Sequence, residues 1–318
     1  MPGSELRLCG LDAKVVFGET MASVAERDSL LSVVVSDYGR RLNLERMRQT
    51  LPEAFVQCGI AEQSQVEVAS ALANEGFHVV APSYATFITS RVLDQVRVML
   101  GMMNSPVTLV GLSAGCEAGT LGASHMALED IACMRTIPGV TVVCPADNVE
   151  LAAVLEELAA SPRPAYVRIS QYESGMCIHA HGAGTPIGKA EVLREAPGAR
   201  VALLATGPLT GEALRAATLL AHEGIESCVL EFATVKPLDT AALDGLAGCD
   251  LVATVEDHSV QGGFGSAVAE HLAGQAHAPR VLRLGMPDEY LEADLPMRLL
   301  ERAGLTSEGI ASSIRSCL

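Results

Sequence analysis

At 318 residues, 49% hydrophobic and 19% charged, the chain holds enough apolar material for one large core or two ordinary ones, which argues against disorder. A formal charge of −16 argues against a nucleic-acid partner, and no apolar run approaches the ~20 residues needed to span a bilayer. With no Trp and aromatics at 3%, the core must be aliphatic and rich in Ala.

The opening "MPGSELRLCG" has neither an apolar signal core nor an Arg-rich transit pattern. Nine cysteines without paired spacing point to reduced thiols and a cytoplasmic protein. Residues 31–35, 78–81, 106–110, 140–143 and 165–169 are short apolar runs that read as buried strands. Helical segments fall between them at 62–75, 89–101 and 148–160. Alternation of this kind predicts an α/β fold, a parallel sheet with helices on both faces. Residues 170–188 interrupt it with Gly, Ser, His and Pro and read as a linker. Within them His179 and His181 form a close pair, a polar linker by preference and metal ligands as the lesser alternative. Strands then resume at 201–205, 227–230 and 251–255, with helix starts at 208–212 and at the Gly-rich 262–266. Two α/β domains are therefore expected, 1–180 and a smaller one at 189–318.

Two stretches carry candidate chemistry. Gly111-Leu112-Ser113-Ala114-Gly115 fits the G-x-S-x-G turn that presents a nucleophilic serine between a strand and a helix. Three glycines in the nine residues after Ser113 oppose that helix, and Asp257-His258 are adjacent in sequence, an awkward way to finish a triad. A loop serine bonded to nearby backbone is the better reading. The second stretch, "FVQCGIAEQSQVEVASALANEG" at 55–76, starts a helix near Glu62, with Val66, Ala69 and Ala73 on its apolar face. A carboxylate there is ordinarily stabilised by the free N–H groups of the first turn.

The wording of that stretch narrows the reading. "GIAEQ" at 59–63, "YATFITSRVLDQVR" at 84–97 and "GASHMALEDIACMRTIPGVTVVCPAD" at 122–147 resemble the transketolase family. "LEFATVKPLD" at 230–239 and "VATVEDHSVQGGFGSAVAEHLA" at 252–273 continue the resemblance in the same order along nearly the whole chain. It is similar to the carboxy-terminal half of a transketolase: a pyrimidine-binding domain followed by a small terminal domain.

The resemblance implies thiamine diphosphate and ketol transfer from a ketose to an aldehyde. Glu62 would donate a hydrogen bond to the cofactor's aminopyrimidine, which requires a protonated carboxyl raised by burial. Tyr84 and Phe87 would stack on that ring, and Asp37 would lie near the thiazolium. His125 would line the substrate channel as a proton relay. Arg168 would grip a substrate phosphate as a bidentate fork. Ser113 stands where the family has a second sugar-binding histidine, and Thr120-Leu121 where it has a Glu-Asp pair. Neither Ser113 nor Leu121 can repeat those contacts, which implies an altered donor or acceptor.

No Gly-Asp-Gly occurs in the chain, so the stretch that holds Mg²⁺ and the diphosphate in this family is expected on a partner subunit, in an α₂β₂ heterotetramer. Three alternatives stand beside this reading. One is the beta subunit of a 2-oxoacid dehydrogenase's decarboxylase component. Another is a relative of deoxyxylulose phosphate synthase, whose members show His where this chain has Ser64. The third is a non-catalytic scaffold subunit.

Overall fold

In the computed structural model, residues 4–37, 39–173, 175–179 and 184–318 are described, with side chains from residue 7 onward. The apolar run at 31–35 forms β1 (Leu31–Val35), buried at all five positions. It is followed by β2 (Phe55–Gln57), β3 (His78–Tyr84), β4 (Val107–Leu112), β5 (Thr141–Val143) and β6 (Ala165–Arg168). Among themselves these six strands pair in parallel.

Strands buried on both faces need cover on both. On one face the helix Glu62–Asn74 packs Val66, Ala69 and Ala73 against the sheet. On the other, Ala13–Arg27 and Asn148–Ala160 supply Phe17, Met21, Val154 and Leu158. Ala13–Arg27 has no counterpart among the helices read from sequence.

The helix read at 89–101 is instead segmented. A turn at Ala85–Ile88 is followed by 3₁₀ and α turns and then a π-helical stretch, Arg97–Met102. Thr89, at φ −120° and ψ −84°, marks the break, and its hydroxyl donates to Ala85 O at 2.5 Å. Local back-bonding of this kind competes with a regular helical ladder. The break turns Arg91 toward Glu62.

After the linker, β7 (Glu191–Arg194), β8 (Val201–Ala205), β9 (Ser227–Glu231), β10 (Thr234–Lys236), β11 (Leu251–Ser259) and β12 (Arg280–Met286) follow. Five of them form a second sheet in the order β12-β11-β8-β9-β7. Only its edge strand β7 runs antiparallel to its neighbour. The sixth, β10, joins the first sheet, whose order is β10-β5-β6-β4-β3-β1-β2, and pairs antiparallel with β5. The wholly parallel sheets read from sequence are therefore parallel with antiparallel edges.

A second correction concerns thiol chemistry: Cys9 and Cys177 are joined in a disulfide with Cα atoms 5.5 Å apart, where reduced cysteines were expected. Their separation of 168 residues is why no spacing pattern betrays the pair. The other seven cysteines are free. Among the described residues no helix is long and apolar enough to cross a membrane.

Candidate active site

The order of the first sheet fixes where a site can lie. From β1 the chain moves outward to β2, then crosses back to β3 and continues to β4 on the other side. The loops leaving β1 and β3 thus diverge, opening a crevice at their carboxyl ends, the place where ligands bind open parallel sheets.

A cleft of about 790 Å³ occupies this position. Ser36 and Asp37 line it from the end of β1, Gln57 from the end of β2, and Ser83, Tyr84 and Phe87 from the end of β3. Glu62, Leu121 and His125 complete the wall together with Arg40, Arg41, Arg48 and Arg91. Six of the residues singled out from the sequence thus meet in one place: Asp37, Glu62, Tyr84, Phe87, Leu121 and His125.

Glu62 begins its helix and is only 5% exposed. One turn further on, Gln65 is wholly buried, and its Nε2 donates to Val34 O at 2.8 Å and to Pro82 O at 2.9 Å. Those two carbonyls belong to the strands that flank the crevice, so the amide holds the helix start over it. Arg91 Nη1 donates to Glu62 Oε2 at 2.9 Å. The same guanidinium lies 3.8 Å from the centroid of Phe87, a cation–π contact across the break at Thr89.

The three rings form an edge-to-face cluster. Centroids are 5.6 Å apart for Tyr84 and Phe87, and 5.3 Å for each of these with His125. Such packing fixes the rings without stacking them on one another. Arg41 Nη1 donates to the Tyr84 hydroxyl at 3.1 Å. Ile60, just before the helix, is 76% exposed, and Leu121 is 51% exposed at the cleft wall. The arrangement combines a buried carboxyl, aromatic walls, an imidazole and an uncovered apolar rim, and suits a flat heteroaromatic ligand.

The four arginines were not assigned roles from sequence. For Arg91 a signal existed in its i, i+4 relation to Phe87; Arg40, Arg41 and Arg48 come to the cleft only through the fold.

Ser113 and Arg168 lie elsewhere. Ser113 follows β4 at φ +51°, is 5% exposed, and donates from Oγ to Glu117 Oε1 at 3.0 Å. Glu117 is itself paired with Lys14. No α-helix follows Ser113, only a 3₁₀ turn at Gly119–Leu121. The remaining pieces of a triad are also engaged: His258 Nε2 accepts from Ala132 N, and Asp257 pairs with Arg168. There is no nucleophile elbow. The serine's partner is a side chain rather than the backbone expected of it.

Arg168, expected to grip a phosphate, lies in a buried ion-pair network. It is 2% exposed, with Nε donating to Asp130 at 2.8 Å, Nη1 to Asp257, and Nη2 to the carbonyls of Ala127 and Asp257. Tyr166 caps Asp130, and Tyr172 caps Asp257, each at 2.6 Å. Burial opposes the charge, but the two carboxylates outweigh it and raise the arginine's pKa further. Four of its five N–H groups are engaged in this network, which joins β6 of one sheet to β11 of the other.

Comparison with known proteins places this geometry. Residues 10–175 match the family model for the transketolase pyrimidine-binding domain, and residues 188–310 match the transketolase C-terminal domain. The chain belongs to the transketolase family. A putative transketolase C-terminal section from Methanocaldococcus jannaschii is 33% identical over 94% of this chain and 93% of its own length. The 6-deoxy-6-sulfo-D-fructose transketolase subunit SqwH of a Clostridium strain is 35% identical over 92% and 90%. A solved split-gene transketolase, an inactive β4 tetramer, superposes with a TM-score of 0.85 at 30% identity, over 96% of this chain and 98% of that one. By contrast the chain spans about half the length of its 1-deoxy-D-xylulose-5-phosphate synthase relatives, such as that of a Synechococcus strain, 35% identical over 47% of the relative. Membership of this family implies dependence on thiamine diphosphate.

Proposed function

We propose that this chain is the pyrimidine-binding subunit of a split transketolase-type enzyme, which moves a two-carbon ketol unit from a ketose to an aldehyde. The observation that carries the proposal is the cleft itself, where Glu62, Tyr84, Phe87 and His125 meet at the switch point of the first sheet. Thiamine diphosphate, when bound, supplies a carbon nucleophile for ketol transfer. The role of this chain is to bind and orient. Glu62, fixed by Arg91 and by Gln65 beneath it, would face a ring nitrogen of the aminopyrimidine. Tyr84 and Phe87 clamp the ring, Asp37 flanks it, and His125 moves protons at the substrate's hydroxyl and carbonyl oxygens.

The exposed Ile60 rim and the absence of Gly-Asp-Gly support a second subunit that closes the cleft and holds Mg²⁺ with the diphosphate, in an α₂β₂ assembly. The inactivity of the β4 relative agrees with that division of labour. Leu121 at the wall supports a donor or acceptor different from ordinary pentose phosphates, since an apolar side chain cannot read a hydroxyl.

A second reading has its own support: 1-deoxy-D-xylulose-5-phosphate synthases are as similar in identity as the split subunits are. It predicts pyruvate as donor with loss of CO₂. One experiment separates the two. The chain is co-purified with its Gly-Asp-Gly partner, loaded with thiamine diphosphate and Mg²⁺, and offered ketose phosphates, sulfonated or branched ketoses, and pyruvate. Ketol transfer that disappears in Glu62→Gln, with the assembly intact, supports the proposal. Turnover of pyruvate alone would favour the synthase reading. Undiminished turnover by Glu62→Gln would remove both.

A further inference from the structure

The linker meets both sheets at a second cluster that shares no residue with the cleft. Glu150, in the first turn of Asn148–Ala160, is fully buried, as is Glu231 at the end of β9. His179, from the linker, is 6% exposed between them. One ligand atom from each of the three lies within 4.8 Å of the other two.

The cluster is built rather than accidental. Asp147 Oδ2 accepts from the backbone N–H groups of Ile178 and His179, both at 2.7 Å, which anchors the histidine's main chain. The same oxygen lies 3.3 Å from His179 Nδ1, leaving Nε2 to face Glu231 at 3.1 Å. Glu150 is held by Ala146 N at 2.8 Å and Thr185 N at 3.1 Å. Gly184 completes the enclosure at φ +76°, where a Cβ would come within 2.8 Å of the Glu150 side chain.

Something is missing from this enclosure. Both carboxylate oxygens of Glu231 and both ring nitrogens of His179 are buried without a hydrogen-bond partner. Their contacts are close in distance but wrong in direction for an N–H···O bond. Buried polar atoms are otherwise almost always satisfied, and carboxylates packed together need a positive charge among them. A carboxylate beside the far nitrogen, here Asp147 next to Nδ1, is a common neighbour of a metal-ligating imidazole. Toward solvent the cluster is bordered by Glu191, whose side chain is 44% exposed and lies 3.3 Å from His179 Nε2.

We propose that Glu150, His179 and Glu231 bind one divalent transition-metal ion of the Zn²⁺ or Mn²⁺ kind, with Glu191 as a further ligand at the open side. One nitrogen and several carboxylate oxygens suit such ions better than Mg²⁺, which prefers oxygen alone. The ion would join a helix of the first sheet, the linker and a strand of the second sheet. The site stands apart from ketol transfer and is tested without it.

The test is calorimetric titration of the EDTA-stripped full-length chain with Zn²⁺, Mn²⁺ and, as a control, Mg²⁺. The expected result is one Zn²⁺ or Mn²⁺ per chain, with a raised melting temperature. Affinity should fall at least about tenfold in Glu231→Gln and in His179→Gln, and Mg²⁺ should bind no more than weakly. Anomalous diffraction from wild-type crystals grown with Zn²⁺ locates the ion whether or not the variants fold. No stoichiometric binding, an anomalous peak elsewhere, or unchanged affinity in both folded variants would overturn the proposal. The cluster would then be a protonated histidine clamped by acids.

Discussion

Replacing Arg168 with Met tests the reassignment of that residue most directly. Met keeps much of the aliphatic volume but strands Asp130 and Asp257, both at most 1% exposed, without their shared cation. Breaking a buried pair from one side costs about 3–5 kcal/mol. At about 2–4 °C per kcal/mol for units of 150–250 residues, the melting temperature should fall by about 6–20 °C. Asp130→Asn and Asp257→Asn in the same background remove the stranded charges and should restore part of the loss. The assay is thermal unfolding followed by circular dichroism, alongside KM for a phosphorylated substrate in the assembled enzyme at a temperature where the variant is folded. A melting temperature within about 1 °C of wild type, together with a tenfold higher KM, would refute the structural role and return Arg168 to the substrate.

Asp147 caps the helix Asn148–Ala160 and accepts four backbone N–H groups. Burial pushes its pKa up, but the His179 contact and those N–H groups outweigh this and hold it below the usual value. A depressed folded pKa contributes stability above the unfolded pKa of about 3.9, and loses it as pH falls through the folded value. Asp147→Asn should therefore cost about 1–2 kcal/mol at pH 7 and progressively less below about pH 4, read as melting temperature against pH; a pH-independent gap would contradict this. Thiol labelling should be selective, because the contact with Cys249 brings Cys228 down to about 7, whereas burial pushes Cys116 up to about 12. Iodoacetamide at pH 7.5 followed by peptide mapping should find Cys228 modified first, and equal rates at Cys116 would contradict the assignment. In the assembled enzyme, Leu121→Asp should raise kcat/KM for an unmodified ketose phosphate about tenfold, by about 1.4 kcal/mol of new hydrogen bonding. No change in substrate preference would place Leu121 outside the sugar's reach.

What could be read from the sequence was what depends on short-range pattern. The strand at 31–35 and the helix from Glu62 are continuous apolar or amphipathic segments, and both stand where periodicity puts them. Phe87 and His125 could be paired with Glu62 only through the family wording, because they reach the cleft from different segments. The pairing of Cys9 with Cys177 and the burial of Arg168 were beyond reach for a different reason. Each depends on at least one partner more than 85 residues distant, and a strand-end arginine looks the same in sequence whether it ends in solvent or between two aspartates. The broken helix after β3 failed on a subtler point. Its apolar spacing is helical, and only the geometry of Thr89 and the demand to bring Arg91 back to Glu62 break it.

The placement of β10 bears on how genes for such proteins can be divided. Thr234–Lys236 lies well beyond the linker yet serves as the outermost strand of the first sheet, against β5. A reading frame cut within residues 170–188 would separate β5 from its neighbour and leave its backbone N–H and C=O groups open to the next molecule. The linker looks like the natural place for such a break, but the sheet forbids it. One folding unit borrows its border strand from the other.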